Sequence, residues 1–266
     1  MDNDMLRKVQ FVQLEIAEEI VRVCNKNHIK VFLDSGSLIG AVRHHGFIPW
    51  DDDLDMGMLR EDYDRFSAIA SHELSPDYYW QTWETDSDYA MPFGKVRKKG
   101  TQFIESRSPK LKENGIYVDV IPYDYAPDGN EKRKAMYKQL ADLRWRLTVK
   151  CGYAPWIYNG KAIFKTRLHG LYYQVITKFQ SKEQLVQDYE RIVRSIADSE
   201  YVYQQTGTKY YPKKWFEEIV LLEFEDVEMP VISHYHDWLT TAYGDYMTPP
   251  PENARENRHD IVRIEL

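Results

Sequence analysis

The sequence has little cysteine, no long apolar run and no excess of basic residues. Its 266 residues include two cysteines, Cys24 and Cys151, which form no CxxC pair, so we expect neither a disulfide framework nor a cysteine-ligated zinc site. No stretch reaches the roughly 18 apolar residues of a membrane-spanning helix, and the N-terminus has no signal-peptide core. These absences predict a soluble protein of a reducing compartment, the cytoplasm.

The charge balance argues against a nucleic-acid-binding protein. The chain carries 42 acidic and 35 basic residues, a formal net charge of −7, whereas nucleic-acid-binding domains usually carry a basic excess. Hydrophobic residues at 43% and charged residues at 29% are typical of a globular protein with a sizeable core. We therefore expect no nucleic-acid partner.

Helical and strand periodicities both occur along the chain and predict an α+β fold. Apolar spacings of three and four predict an amphipathic helix over residues 5–27. Alternating patterns predict strands in DLDMGM and GIYVDVIPY. We predict three regions: a catalytic core over residues 1–130, a helical insertion over 131–200, and a C-terminal region over 201–266 that packs back on the core.

Four aspartates lie within five residues in the segment PWDDDLDMGM, namely Asp51, Asp52, Asp53 and Asp55. Like charges this close repel one another, so a folded protein that keeps them together needs a compensating charge. Alternate residues of a strand point to the same face. We therefore expect Asp53 and Asp55 to project together and Asp52 to point away from them.

Besides the pair Asp53 and Asp55, a third acid, Asp119, lies on the otherwise apolar strand IYVDV. An ionised carboxylate there is costly unless it is paired or coordinates a metal. If the two strands are neighbours, Asp53, Asp55 and Asp119 form a three-carboxylate cluster, and such hard oxygen ligands suit Mg²⁺. A solvated surface turn is the alternative. An EF-hand calcium loop is excluded, because counting from Asp51 places Met56 at the sixth position, where that loop requires glycine.

The segment FLDSGSLIG predicts a strand that runs into a Ser-Gly-Ser turn and then into a helix. The free N–H groups and the dipole of a helix N-terminus favour anions, and Gly36 allows a phosphate to approach the backbone. Gly36 and Ser37 are therefore candidates for phosphate binding. The alternative is an ordinary helix cap without a ligand.

Taken together, these motifs resemble the signature of the nucleotidyltransferase fold, the superfamily that includes polymerase β. The signature appears as Gly36-Ser37, then DLDM, then VDV. The longer run GSLIGAVRHHGFIPWDDDLDMGMLREDYDRF resembles the LicD family of phosphotransferases, which has relatives among the fukutins. Two further stretches, FGKVRKKGTQF and YGDYMTPPPENAREN with His259 after it, are similar to the same family. The resemblance implies a nucleotidyltransferase-like core in which helices flank a mixed β-sheet, with a helical insertion.

The resemblance also implies Mg²⁺-dependent transfer of a phospho-alcohol from a CDP-activated donor. In the LicD proteins phosphocholine is moved from CDP-choline to a sugar of teichoic acid or lipopolysaccharide, while the fukutin branch is associated with ribitol phosphate. By position, Asp53, Asp55 and Asp119 match the catalytic, metal-binding acids. Gly36 and Ser37 match the phosphate turn.

Three basic residues are candidates for binding the donor phosphates. Lys95 and Arg97 alternate on one predicted strand, and Arg43 lies one turn into the Ser-Gly-Ser helix. For each of them a solvated surface position is the alternative. A choline ammonium is attracted by aromatic faces. The 20 Tyr, 10 Phe and 7 Trp permit such a cage without locating it.

Two other functions stay open at this point. A true nucleotidyltransferase would transfer NMP from an NTP and release pyrophosphate, and the core motif does not separate the two reactions. A catalytically inactive divalent-ion binding module is the second alternative, although the presence of all three acids argues against it. A lipid-linked glycan acceptor would require peripheral contact with the inner face of a membrane, and we assign no residues to that contact.

Overall fold

A seven-stranded mixed β-sheet forms the centre of the structure, a computed structural model that describes residues 1–108, 111–154, 163–205, 207–255 and 259–266. The strands of the described residues are β1 (Phe32–Leu33), β2 (Asp55–Leu59), β3 (Tyr78–Gln81), β4 (Gly94–Lys98), β5 (Gln102–Glu105), β6 (Tyr117–Tyr125), β7 (Tyr201–Gln204), β8 (Tyr211–Pro212), β9 (Ile219–Phe224), β10 (Val227–Ile232) and β11 (Ile261–Glu265). The helices are α1 (Asn3–Lys26), α2 (Ser35–His44), α3 (Arg60–Glu73), α4 (Asn130–Lys150), α5 (Ile163–Ile176), α6 (Lys182–Val193) and α7 (Tyr235–Tyr243). A mixed sheet with flanking helices confirms the predicted α+β class, and α1 confirms the helix expected over residues 5–27.

The central sheet has the strand order β1-β2-β6-β4-β3, and β7 pairs with the second half of β6. The pairing of β2 with β6 is parallel, whereas the other pairings in the sheet are antiparallel. A parallel pair needs a long crossover connection, and here α3 and the strands β3 to β5 lie between the two partners in the chain. This crossover lets two strands about sixty residues apart in sequence run side by side.

The two faces of the central strands differ sharply in polarity. Met56, Val96, Val118 and Val120 are fully buried in the main apolar core, to which α1 and α3 also contribute. Because side chains alternate between the faces of a strand, the neighbouring residues Asp55, Lys95 and Asp119 point to the other face. The alternation predicted for β6 is therefore confirmed, and it separates the packing face from a charged face.

A second apolar core lies around α4 and α6. Leu140 and Leu147 of α4 pack with Leu185 and Tyr189 of α6 and with Tyr203 of β7. The helix α5 lies against α4. The predicted boundaries near residues 130 and 200 stay predictions. The sequence has an aromatic-rich segment, YAPWIY, at residues 153–158, and part of it lies outside the described residues. No helix within the described part of the chain is both long and apolar enough to cross a membrane.

The C-terminal strands return to the first half of the chain. The strand β11 pairs with β5, with Ile261 opposite Glu105, and β10 contacts β1. The pairing of β11 with β5 holds the end of the chain beside the charged face of the sheet. His259, two residues before β11, is thereby carried to that face.

A buried ion pair joins the start of α3 to β6. Arg60 Nε donates to Asp124 Oδ1 at 2.5 Å, and its second nitrogen donates to Asp124 Oδ2 at 2.9 Å. Both residues are buried. Such a bidentate pair offsets much of the desolvation of its two charges, and loss of one partner leaves the other uncompensated.

We expect Asp124→Asn to lower the free energy of unfolding by about 3–5 kcal/mol, because it leaves the buried Arg60 guanidinium with the partly exposed Asp64, 3.6 Å away, in place of its buried bidentate partner. Urea unfolding followed by circular dichroism measures this as a lower midpoint at unchanged slope. Lys134→Ala is the control: its pair with Glu131 is exposed, and it should change stability by less than about 0.5 kcal/mol. Equal midpoints for the two variants would contradict the assignment.

Candidate active site

Three strands bring two acids and a lysine into one row across the charged face of the sheet. Asp55 of β2 lies opposite Asp119 of β6, and Lys95 of β4 lies opposite Asp119 on the other side. Lys95 Nζ is 2.5 Å from Asp119 Oδ1 and 3.3 Å from the centroid of the Tyr117 ring. The expectation that the strands carrying Asp55 and Asp119 are neighbours is confirmed.

Burial and nearby negative charges disfavour the ionised forms of Asp55 and Asp119. Burial, followed by the charges of Asp53 and Asp119, raises the pKa of Asp55 well above its ordinary value. Burial also raises the pKa of Asp119, although the ion pair with Lys95 opposes this shift. A cation placed at Asp55 would relieve the repulsion and restore the ionised state.

The segment before β2 differs from the strand we predicted. The strand begins at Asp55, and residues 51–54 have no regular structure. Asp52 does not point away from its neighbours: it is fully buried, and oxygens of Asp51, Asp52 and Asp53 all lie within 4.8 Å of one another. The alternation rule fails here because it holds only where backbone hydrogen bonds impose the pleat. We call residues 51–54 the acid loop.

Two buried glutamines of α1 hold the backbone of the acid loop. Gln10 Nε2 donates to the carbonyl of Asp51 at 2.8 Å, and Gln13 Nε2 donates to the carbonyl of Asp52 at 2.9 Å. Both glutamines are fully buried on the otherwise apolar face of α1. Their hydrogen bonds compensate for the absent strand pairing of the loop.

His259 places a positive charge beside the acid loop. Its Nδ1 is 2.9 Å from Asp52 Oδ1, and its Nε2 is 3.9 Å from Asp53 Oδ2. Burial by itself would lower the pKa of His259, but the hydrogen bond with Asp52 and the charge of Asp53 raise it to about 9. The imidazole is therefore protonated at neutral pH. Our sequence reasoning noted His259 only through the family resemblance and gave it no role.

The donor set of the acids fits a divalent cation with oxygen ligands. Among the described residues, Asp52 Oδ2 is a buried carboxylate oxygen without a hydrogen-bond partner, and buried polar atoms normally have one. Carboxylate oxygens at the separations seen in the acid loop suit Mg²⁺, which prefers hard oxygen ligands in a compact shell. The acid loop, Asp55 and Asp119 are the residues available to such an ion.

The start of α2 packs directly on these acids. Ser37 Oγ accepts a hydrogen bond from the Asp55 backbone N–H at 2.9 Å. A Cβ atom on Gly36 would lie 2.7 Å from Asp51 Oδ2, so a side chain there would push the Asp51 carboxylate aside. Negative charge is favourable near a helix N-terminus. Gly36 and Ser37 thus have a structural function beside the acids, and their contact with a phosphate stays a prediction.

Asp34 is a buried acid that our sequence reasoning did not single out. It caps α2 by accepting from Ser35 N at 2.8 Å, and it also accepts from the Tyr123 hydroxyl at 2.7 Å and from Gln204 Nε2 at 2.8 Å. Burial raises its pKa to about 6. The signal was available, because an Asp immediately before a helix is a preferred N-cap.

The three predicted phosphate-binding residues lie in different surroundings. Lys95 is paired with Asp119, as described above. Arg97 is buried and donates to Gln81 Oε1 at 2.5 Å and to the carbonyl of Gly115 at 2.7 Å. Arg43 donates to the carbonyl of Tyr246 at 2.6 Å. Lys95 and Arg97 line a cavity of about 120 Å³, whereas Arg43 does not line it, and the contact of all three with donor phosphates stays a prediction.

Comparison with known proteins identifies the family. The family described as "LicD/FKTN/FKRP, nucleotidyltransferase domain" matches residues 28–149. The chain is 31% identical over 264 residues to the lipopolysaccharide cholinephosphotransferase LicD of Haemophilus influenzae, and this alignment covers 96% of each of the two chains. The chain belongs to the LicD family. It is also 44% identical over 109 residues to the ribitol 5-phosphate transferase FKRP of Homo sapiens and of Mus musculus, covering 41% of this chain and 20% of each relative.

The range matched by the LicD family contains every residue that we predicted for the site, from Gly36 to Asp119. His259 lies outside this range, but the similarity to the LicD protein of Haemophilus influenzae extends over nearly the whole chain. The pairing of β11 with β5 explains how a residue so far along the sequence reaches the acid loop. The site therefore depends on the chain beyond the matched domain.

We expect the contribution of His259 to stability to depend on pH in metal-free protein. The pKa of His259 is raised in the folded state to about 9, above the value of about 6.5 in an unfolded chain. Its stabilisation is therefore fully present below pH ~6.5 and is lost as the pH rises through ~9. Relative to the unaltered chain, His259→Gln should lower the free energy of unfolding by about 1–3 kcal/mol at the acidic end of this window.

Urea unfolding in EDTA at a series of pH values measures this difference. Asp52→Asn is the matched variant, because it removes the charged acceptor and keeps the imidazole. The His259→Gln substitution should have a much smaller and flatter effect in the Asp52→Asn background. A difference between His259→Gln and the unaltered chain that stays constant from pH ~6 to ~9 would show that His259 carries no charge in the folded state.

Proposed function

We propose that the protein is a Mg²⁺-dependent phosphotransferase. It moves phosphocholine, or a related phospho-alcohol, from a CDP-activated donor to a sugar hydroxyl of a cell-envelope glycan such as lipopolysaccharide or teichoic acid. The observation that carries the proposal is the position of Asp55 directly opposite Asp119, beside the crowded acids of the acid loop. This arrangement gathers carboxylates that a cation accompanying an anionic diphosphate donor would bind.

The names of the relatives support the reaction class. One relative is a cholinephosphotransferase of lipopolysaccharide and another is a ribitol 5-phosphate transferase, so both transfer a phosphorylated alcohol. The core supports it independently. The strands β2 and β6 carry acids on one face, and α2 begins beside them, which is the arrangement expected of a nucleotidyltransferase-like core.

Asp53, Asp55 and Asp119 are the residues that would hold Mg²⁺. When bound, the ion supplies positive charge to the donor diphosphate and to the departing CMP. The protonated His259 lies next to Asp52 and Asp53 and keeps the acid loop in place when no substrate is present. The acids then need little rearrangement on binding, which favours catalysis by positioning.

In the proposed transfer, the acceptor hydroxyl oxygen attacks the phosphorus of the phospho-alcohol. A new P–O bond forms, the P–O bond to CMP breaks, and CMP departs with its electron pair. Asp119 is our candidate for accepting the hydroxyl proton, since burial raises its pKa toward that of a useful base. Lys95 lies against Asp119 and can exchange this contact for a donor phosphate, which would free the carboxylate for the proton.

Phosphorus NMR with a panel of donors tests the reaction class and identifies the donor. We expect the protein, Mg²⁺ and a lipopolysaccharide acceptor to convert one of CDP-choline, CDP-ribitol and CDP-glycerol to CMP, and EDTA to stop the conversion. CTP serves as the contrasting substrate. Pyrophosphate released from CTP would instead indicate a nucleotidyltransferase. Absence of turnover with every donor would favour the inactive divalent-ion binding module.

Asp55→Asn and Asp53→Asn should each reduce donor turnover by at least about a hundredfold, because each removes a charged oxygen ligand. Asp55→Asn should leave the melting temperature unchanged or raised, since it removes one of several mutually repelling charges. Asp128→Asn, at an exposed aspartate before α4, is the matched control and should retain full turnover. Near-normal turnover in Asp55→Asn would mean that the metal assignment is wrong.

A further inference from the structure

A long stretch of the chain is free of acidic residues. Residues 143–182 contain eight Lys and Arg and no Asp or Glu, although the whole chain carries a net charge of −7. The bases are Arg144, Arg146, Lys150, Lys161, Lys165, Arg167, Lys178 and Lys182. Blocks of one charge sign at this length are typical of surfaces that bind polyanions or anionic lipid.

The same stretch exposes large apolar side chains. Leu168, Leu171, Tyr172 and Val175 of α5, with Phe179 in the following turn, are all exposed, and we call these five residues the apolar face. Val175 is 71% exposed and Phe179 is 90% exposed. Their spacings of three and four place them on one side of a helix. Scattered exposed apolar residues are ordinary, but a contiguous group marks an interaction site.

Contacts with α4 fix the outward direction of the apolar face. The side of α5 that is buried carries Gly170, Tyr173 and Thr177. The Tyr173 hydroxyl donates to Asp142 Oδ1 at 2.9 Å, and its ring stacks on Trp145 with centroids 5.8 Å apart. These contacts select the more polar side of α5 for packing, so the large aliphatic side chains are left for another partner.

The basic side chains near the apolar face are only partly neutralised within the chain. Arg146 pairs with Asp142, just before the acid-free stretch. Lys182 donates to the backbone carbonyls of Trp83 and Asp86, and the charges of Asp86, Glu183 and Asp88 act on its ammonium group. Lys150 and Lys178 are exposed. Aromatic and aliphatic side chains beside exposed lysines are the composition of helices that lie in the membrane interface.

We propose that α5 and the turn after it dock the protein on the surface of a membrane that contains anionic lipid. The apolar face enters the region between headgroups and acyl chains, and the surrounding lysines contact the lipid phosphates. A second copy of the chain fits this surface less well, because pairing two such faces would bring two acid-free basic segments together. The proposal does not depend on the reaction proposed above.

Sedimentation with large unilamellar vesicles tests the proposal on the full chain. We expect the protein to sediment with vesicles of phosphatidylcholine and phosphatidylglycerol, and much less with phosphatidylcholine alone. Added salt should weaken this binding, because it screens the attraction between lysines and lipid phosphates. Absence of sedimentation with the anionic vesicles would overturn the proposal.

The double substitution Val175→Ser and Phe179→Ser should lower the partition coefficient on anionic vesicles at least about tenfold, because it removes two apolar side chains from the interface. Leu221→Ser with Val262→Ser is the matched control, since these residues are 57% and 63% exposed and lie on β9 and β11, away from α5 in the sequence. The control should bind like the unaltered chain. Equal binding of both double variants, or equal loss, would exclude the apolar face as the docking surface.

Two further measurements separate this proposal from its competitors. Sedimentation velocity of the unaltered chain should show the same species as the Val175→Ser, Phe179→Ser variant. A dimer that this variant converts to a monomer would assign the apolar face to subunit contact instead. Conversion of a soluble CDP-alcohol should be unchanged in the variant, because the apolar face includes none of the acids. The variant can thus lose vesicle binding and still convert the donor, and a protein without transfer activity can still bind vesicles.

Discussion

The parallel pairing of β2 with β6 sets two carboxylates side by side, and the ion pair of Lys95 with Asp119 compensates for part of the resulting repulsion. Asp55 lies opposite Asp119, and Lys95, the basic residue of this row, pairs with Asp119 and not with Asp55. Burial, followed by the charges of Asp53 and Asp119, raises the pKa of Asp55. A protein that retained this pairing for stability alone would gain by replacing Asp55 with an apolar residue. The cation that we propose for the site would account for its presence.

The acids are held by segments from both ends of the chain. Gln10 and Gln13 of α1 fix the backbone of the acid loop, and His259 supplies a positive charge to its side chains. Neither contact comes from the strands that carry Asp55 and Asp119. A loop without regular hydrogen bonding needs such partners to keep several like charges within one small volume. This accounts physically for a site that requires the chain beyond the matched domain.

The parts of the site that follow a local rule could be predicted from the sequence, and the parts that depend on distant contacts could not. The alternation of apolar and charged residues was sufficient to orient Asp119 on β6 and to bury Met56 on β2. The same rule gave a wrong direction for Asp52, because the strand begins only at Asp55. The partner of Asp52 is His259, 207 residues away, and no periodicity connects residues at that separation. Arg97 was correctly placed on a strand, but its bond to Gln81 depends on the pairing of β3 with β4.

Charge averaged over the whole chain conceals how that charge is distributed. A net charge of −7 suggests repulsion from an anionic membrane, yet electrostatic forces at physiological salt decay over about 8 Å. At that range a lipid surface docked on α5 would interact mainly with the acid-free stretch and the few acids that adjoin it, such as Asp142. The same segregation gives the protein an orientation, because the acidic part is repelled while the basic part is attracted. In the proposed docking, attraction that acts only over this short range would therefore hold α5 against the lipid.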